Sequence, residues 1–321
     1  MSLPRLVLLT TGGTIAARAA SPDSAIHYRL DPAAPDLDPD LLQALEPIAA
    51  LRQESVAKLP SSDLGAPQLL ALAARVAHHR ADPAVDGIVI THGTDTLEET
   101  ALFLALTTPP GKPIVLTAAM RPGGALGSDG PRNLLAAARV AADPAAAGRG
   151  VLVVMDDQVI AAASARKRHT TAATAFRPEA EGLVGEVLPG RIAFVLRSPA
   201  LPLFDLADAA ELPRVDILFS HQDMADDLFD AVIAGGARGL VLACTGNGTL
   251  SAAAKRGVAR ATDAGLMVVR SSRTGAGRVT WTDAAGIAAG PFNPQQARIL
   301  LMLALAKGFS AETVAAIFAA Q

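Results

Sequence analysis

Two short segments carry the residues that could do chemistry. The apolar run Leu6–Thr10 leads into Thr11-Gly12-Gly13-Thr14-Ile15-Ala16, and the run Gly87–Thr91 leads into His92-Gly93-Thr94-Asp95-Thr96. Each sets hydroxyls beside glycine where an extended run ends. Glycine lets the backbone approach a ligand and expose its N–H groups, and a helix N-terminus adds donors and a dipole that favours anions. A carboxylate or a developing oxyanion suits such loops. Thr14 and Thr94 are then candidate nucleophiles or proton-relay hydroxyls. A threonine hydroxyl is weak at neutral pH and needs a base beside it. A lysine kept neutral by burial and held by a carboxylate would serve. Asp95 supplies the carboxylate, and the lysines on offer are Lys58, Lys112, Lys167, Lys255 and Lys307.

Plainer readings stand beside these. An isolated Thr-Gly-Gly-Thr loop is also an ordinary strand-to-helix turn, and Asp95 could be only a helix-start residue. Neither loop matches the nucleotide-binding glycine fingerprint or the lysine-bearing phosphate loop. His92 reads as a hydrogen-bonded structural histidine. His78-His79 lacks metal-ligand spacing, so no metal site is expected. Cys244, at a run's end, reads as a small buried hydrophobe.

The elements that must position these loops are legible in outline. Leu6–Thr10, Gly87–Thr91, Pro113–Ala118, Val151–Met155, Val215–Ser220, Gly239–Cys244 and Leu266–Arg270 are short apolar runs rich in β-branched residues, each followed by an Ala/Leu-rich stretch of helical length. Strands alternating with helices predict α/β architecture with mostly parallel sheets flanked by helices. Continuous apolar runs fit strands buried on both faces. Thr96 with Glu99 reads as a capping box opening a helix over Leu97–Leu106. Pro131 and Pro294 suit first helical positions, and Gly235-Gly236 and Gly308 suit C-terminal caps.

Prolines 189, 199, 202 and 213 break the pattern between the two halves. The expected organisation is a larger N-terminal domain over 1–190 carrying the catalytic loops, a linker over 191–212 and a C-terminal domain over 213–321. Ala16–Pro39 has little apolar content and no period, and reads as a mobile loop of functional length.

The 321 residues are 50% hydrophobic and 18% charged, which excludes a disordered chain. A net charge of -3 leaves no basic footprint for nucleic acid. The single cysteine excludes an intrachain disulfide and a cysteine-based zinc site. No stretch of about 20 apolar residues is present to span a bilayer, and the first apolar run is too short for a signal peptide. The expectation is a soluble, cytoplasmic protein with no membrane partner.

Thr11-Gly12-Gly13-Thr14-Ile15-Ala16 together with Thr91-His92-Gly93-Thr94-Asp95-Thr96-Leu97-Glu98-Glu99-Thr100 resembles the two signature motifs of the bacterial-type L-asparaginases and glutaminase-asparaginases. The likeness runs along the chain through Ala119-Met120-Arg121-Pro122, Ser128-Asp129-Gly130-Pro131, Gly246-Asn247-Gly248, Val269-Arg270-Ser271-Ser272-Arg273 and Asn293-Pro294. The resemblance implies hydrolysis of the side-chain amide of L-asparagine to L-aspartate and ammonia, with L-glutamine as a lesser substrate, and no metal or organic cofactor. It implies that Thr14 is the nucleophile, that Thr94, Asp95 and Lys167 form a relay, and that Tyr28 closes over the site with the mobile segment. Ser61 would hold the substrate α-carboxylate, Asp95 the α-amino group, and the Ala119 carbonyl would lie near the side-chain amide. Ser62, Gly93 and Thr94 complete the expected binding set.

The chain also departs from that family pattern. Ser62 stands where glutamine is usual, Thr249 stands where asparagine is frequent, and Thr274–Gly290 contains no glutamate to lend to a neighbouring subunit. Asp283 is the acidic residue in that stretch that could substitute. The resemblance implies a homodimer or homotetramer with the site at a subunit interface. A non-catalytic sensor for asparagine or aspartate on the same fold is the alternative function.

Overall fold

The structure, a computed structural model, describes residues 2–24, 28–29, 31, 33–178, 182–206, 211–280 and 284–321. The chain forms two compact units, Met1–Leu203 and Phe204–Gln321.

The first unit is built on an eight-stranded sheet. Its parallel half comprises β1 (Arg5–Gly12), β4 (Ala50–Leu59), β5 (Gly87–Thr91), β6 (Ile114–Thr117) and β7 (Val151–Met155), ordered β4-β1-β5-β6-β7. Every residue of β5, β6 and β7 is buried, which is why these segments read as unbroken apolar runs. Helices α2 (Ala66–Ala81), α3 (Leu97–Thr107) and α4 (Gly130–Ala142) make the connections between parallel strands. α3 buries Leu97, Ala101, Leu102, Phe103, Leu104 and Leu106, while Leu134, Ala137 and Val140 of α4 join Leu8, Val89, Val115 and Leu152 in one core.

Beyond β7 the sheet turns antiparallel through β8 (Gln158–Ala161), β9 (Leu183–Leu188) and β10 (Arg191–Phe194). Asp156 and Asp157 both have positive φ, 51° and 58°, as a two-residue hairpin between right-twisted strands requires. Pro189-Gly190, with Gly190 at φ 77°, turns β9 into β10. Residues 191–194, assigned from sequence to the linker, are therefore the edge strand of this sheet.

The segment 16–39 is tied to the unit at several points. It contains β2 (Arg18–Ala19) and β3 (Tyr28–Arg29), which pair antiparallel with Ala19 opposite Tyr28, and it leads into α1 (Pro39–Gln43). Ala19 N donates to Gly123 O at 2.8 Å, Thr10 Oγ1 to Asp36 Oδ2 at 2.6 Å, and Arg18 pairs with Asp38 at 2.7 Å. Leu37 is buried in the core. The loop expected from composition is thus a short ribbon with anchored ends among its described residues.

The second unit is a parallel sheet ordered β11 (Val215–Phe219), β12 (Gly239–Cys244), β13 (Met267–Ser272) and β14 (Ile287–Ala288). Its helices are α5 (Asp227–Ala234), α6 (Ala252–Asp263), α7 (Pro294–Ala306) and α8 (Ala311–Ala319). Asn293 caps α7 by accepting from Gln296 N at 2.8 Å, with Pro294 in the first turn. Gly236 and Gly308 follow α5 and α7 at φ 75° and 69°, the left-handed geometry of a helix end. Buried Cys244 packs in the core with Phe229, Leu242 and Val258, and burial pushes its thiol up to about 11.

Candidate active site

The carboxyl ends of β1 and β5 meet through their glycines, and this sets the site. Gly12 and Gly13 take φ 98° and 81°, a conformation that side chains rarely adopt. A methyl on Gly13 would overlap the Gly93 backbone, and one on Gly12 would lie 2.5 Å from Leu59 O. A methyl on Gly93 would lie 2.6 Å from Ser61 Oγ. The β1 loop is therefore in backbone contact with the ends of β4 and β5, and the β5 loop lies against the Ser61 side chain. Thr11 Oγ1 also donates to Thr91 O at 3.0 Å across the two strand ends.

Thr14 follows at the start of a 3-10 turn, Thr14–Ala16, and is 5% exposed. Ser61 opens another such turn, Ser61–Asp63, and is buried, whereas Ser62 is exposed. The link between Ser61 and the β5 loop corrects the expected capping box: the Thr96 side chain makes no cap bond, and its hydroxyl donates to Ser61 O at 2.8 Å. The backbone of α3 still begins there, with Glu99 N donating to Thr96 O.

Of the five lysines, Lys167 reaches the loops. Its Nζ donates to Thr94 Oγ1 at 2.9 Å and to Asp95 Oδ1 at 2.6 Å. Thr94 is 5% exposed, the Lys167 side chain 19% and the Asp95 side chain 64%, so the pair is sheltered at one end and open at the other. Lys167 lies on a strand-like segment opposite Phe176, with Arg168 N donating to Ala175 O at 2.8 Å.

Ala119 is fully buried at the end of β6. The turn after it is held by the Asp129 carboxylate, which accepts from Met120 N and Arg121 N at 3.0 and 2.8 Å. Asn133 donates to both Asp129 Oδ2 and Ala118 O at 3.0 Å. Asp129, Asn133 and Glu98 carry no role at the site in the sequence reading, and Thr96 only that of a helix cap. An acidic residue ahead of Pro131 signals a helix start, and only the fold shows its carboxylate reaching back to the β6 loop.

His92 is structural, as its type and position suggest. Nδ1 donates to Gly93 O at 2.7 Å, and Nε2 lies 3.0 Å from Thr100 Oγ1, which donates to it. Complete burial holds the ring well below its usual value, at about 4, so it is neutral at pH 7. Tyr28 is placed by its backbone in β3. Asp283 lies outside the described residues. Thr249 bonds through its backbone to Thr245 in the second unit. Among the described residues no group of three or more His, Cys, Asp or Glu is arranged to hold a metal ion, and no helix is long and apolar enough to cross a membrane.

Fold and loops together define a class: a two-unit α/β protein that presents two threonines at strand ends, one of them bonded by a lysine that also meets an aspartate. Residues 5–199 match the family model for the asparaginase N-terminal domain, and residues 214–318 match that for the glutaminase/asparaginase C-terminal domain. The chain belongs to the asparaginase family. It is 40% identical to L-asparaginase 2 of Bacillus subtilis over 98% of this chain and 86% of that protein. It is 37% identical to L-asparaginase 2 of Escherichia coli over 99% and 93%, and 35% identical to the glutaminase-asparaginase of Pseudomonas fluorescens over 95% and 87%. The solved structure of a probable cytoplasmic L-asparaginase from Campylobacter jejuni superposes with a TM-score of 0.92, at 36% identity, covering 98% of this chain and 99% of that one.

Proposed function

We propose that this protein hydrolyses the side-chain amide of L-asparagine to L-aspartate and ammonia, with lower activity on L-glutamine. The observation that carries the reading is the contact of Lys167 Nζ with both Thr94 Oγ1 and Asp95 Oδ1, in a loop packed directly against the one bearing Thr14.

In this reading Thr14 Oγ attacks the amide carbon and its proton passes to a nearby general base, while Tyr28 closes over the site with its segment. Backbone N–H groups at the glycine loops hold the oxyanion. Lysine donates into Thr94 Oγ1, so the Thr94 proton points away from Lys167 and can pass to the departing nitrogen. The C–N bond breaks, ammonia leaves, and a Lys167 proton restores the Thr94 hydroxyl. Water then attacks the Thr14 ester, releasing aspartate and returning the proton to the relay. Ser61 takes the substrate α-carboxylate, Asp95 the α-ammonium and Ala119 O the amide NH2 group. Exposed Ser62, too short to follow Asp95 toward the ammonium, tunes affinity rather than chemistry. We read the protein as a cytoplasmic homodimer or homotetramer in which a neighbouring subunit covers the open side of the site.

The test is ammonia release from L-asparagine and L-glutamine by wild type, Thr14→Ala and Lys167→Met at neutral and alkaline pH. The expected result is asparagine turnover in wild type and losses of about 10³-fold or more in each variant. A wild-type protein that binds but does not turn over either amide would return the sensor reading to the front. Undiminished turnover in Lys167→Met would remove the relay.

A further inference from the structure

We propose that Glu98 is a positioning residue for Lys167, a role that rests on the relay reading above. Glu98 lies in the first turn of α3, one helical turn beyond Asp95, and is 6% exposed. Acidic side chains in a first turn usually face solvent and serve the helix dipole. Glu98 points inward, and its Oε2 accepts from the Lys167 backbone N–H at 2.9 Å. One helix start therefore holds Lys167 at both ends: Nζ on Thr94 and Asp95, main-chain N on Glu98.

The physical need for two grips follows from the lysine side chain. Its four-carbon stem has several rotatable bonds, and ordering it costs rotamer entropy. Fixing Nζ alone leaves the Cα end to the segment on which it sits. That segment makes an isolated bridge at Phe176 and bonds at Ala175, and is part of no full strand. A buried carboxyl acceptor on its N–H sets the height of Lys167 Cα over α3, and thereby the distance from Nζ to Thr94. Reacting groups displaced by about 1 Å can lose roughly 10²-fold in rate.

The experiment compares Glu98→Ala with Glu98→Gln, whose amide oxygen keeps the acceptor while losing the charge. Glu98→Ala should lower kcat on asparagine by about 10- to 100-fold and leave KM within about threefold, because Lys167 and not the substrate has moved. Glu98→Gln should recover most of the lost kcat. A readout independent of turnover is acetylation of Lys167 by acetic anhydride, followed by peptide mass spectrometry, which should rise several-fold in Glu98→Ala and stay near wild type in Glu98→Gln. Where Glu98→Ala does not fold, Glu98→Asp, whose acceptor is drawn back by one methylene, takes its place in both measurements. Wild-type kcat and Lys167 labelling in the folded Ala or Asp variant would overturn the proposal, as would equal losses in Gln and Ala. If wild type releases no ammonia while Lys167 labelling still follows the pattern, the functional reading fails and the positioning stands.

Discussion

At the scale of single residues, burial gives His92 a measurable consequence. Its folded-state value of about 4 lies below the ordinary 6.5, with burial as the leading cause and the Gly93 carbonyl opposing it. The unfolded chain therefore binds a proton near pH 6.5 that the folded protein refuses until about pH 4, so stability falls as pH falls through that window. The loss approaches roughly 3 kcal/mol by pH 4, because each tenfold difference in proton affinity between the two states is worth about 1.4 kcal/mol. His92→Asn keeps a donor to Gly93 O and cannot titrate, so its unfolding free energy should change less between pH 7 and 4.5. Urea titrations at both pH values check this, and an equal change for the two proteins would refute it. The carboxylates of Glu54 and Asp86, held down at about 2 chiefly by Arg75 and Arg5, contribute above pH 4.5 and lose stability only below it, which separates their signal. The two threonine loops were legible as candidates because glycine beside hydroxyls recurs at the ends of two apolar runs, although one such loop alone also reads as an ordinary turn. Lys167 was not legible from spacing. It stands 72 positions from Asp95 within Arg166-Lys167-Arg168, a run that resembles solvated surface charge, and only the family resemblance singled it out.

At the scale of elements, the seven runs read as strands all exist: six are buried along nearly their whole length, and the seventh, β11, is a half-buried edge strand that leaves Phe219 exposed. The strands that escaped reading lie at edges or in hairpins. β4 is an edge strand whose exposed and half-buried positions carry Arg52, Glu54 and Lys58, so it lacks an apolar run; charge on an edge also discourages pairing with other chains. What holds β4 to α2 is a polar cluster. Arg52 Nη2 donates to His79 Nδ1 at 3.0 Å, which leaves Nε2 to donate to Glu54 Oε2 at 2.8 Å, and Arg75 closes on the same carboxylate. His79 is fully buried, so removing Glu54 strands a donor away from water. Glu54→Ala should cost about 1 to 3 kcal/mol in urea unfolding. A loss below about 0.5 kcal/mol, the scale of a surface substitution, would show that the cluster is ornamental to β4. β4 leads directly to Ser61, so the same variant should also weaken asparagine binding more than it slows turnover.

At the scale of the whole molecule, the site of a single chain is half closed. Small-ligand sites typically bury some 70–90% of their guest, yet the Asp95 side chain, proposed to meet the substrate ammonium, is 64% exposed, and Ser62 beside the carboxylate site is exposed as well. The proposed function leaves two covers to weigh: the segment of β2 and β3, and a second copy of the chain. The ribbon is anchored by Arg18–Asp38 and by Thr10 and Lys58 on Asp36, which favours small excursions over wholesale displacement. In the proposed oligomer a neighbouring subunit would desolvate the ammonium end, where Ser62 brings little reach. Specific activity per chain should therefore fall on dilution, in parallel with the loss of dimer seen by sedimentation velocity over the same concentrations. KM for asparagine should rise before kcat falls, since in the proposed oligomer Thr14, Thr94 and Lys167 come from one chain and only the binding end would be shared. A monomeric fraction with undiminished kcat/KM would show that one chain closes its own site, and would move the task of covering Asp95 to the ribbon that carries Tyr28.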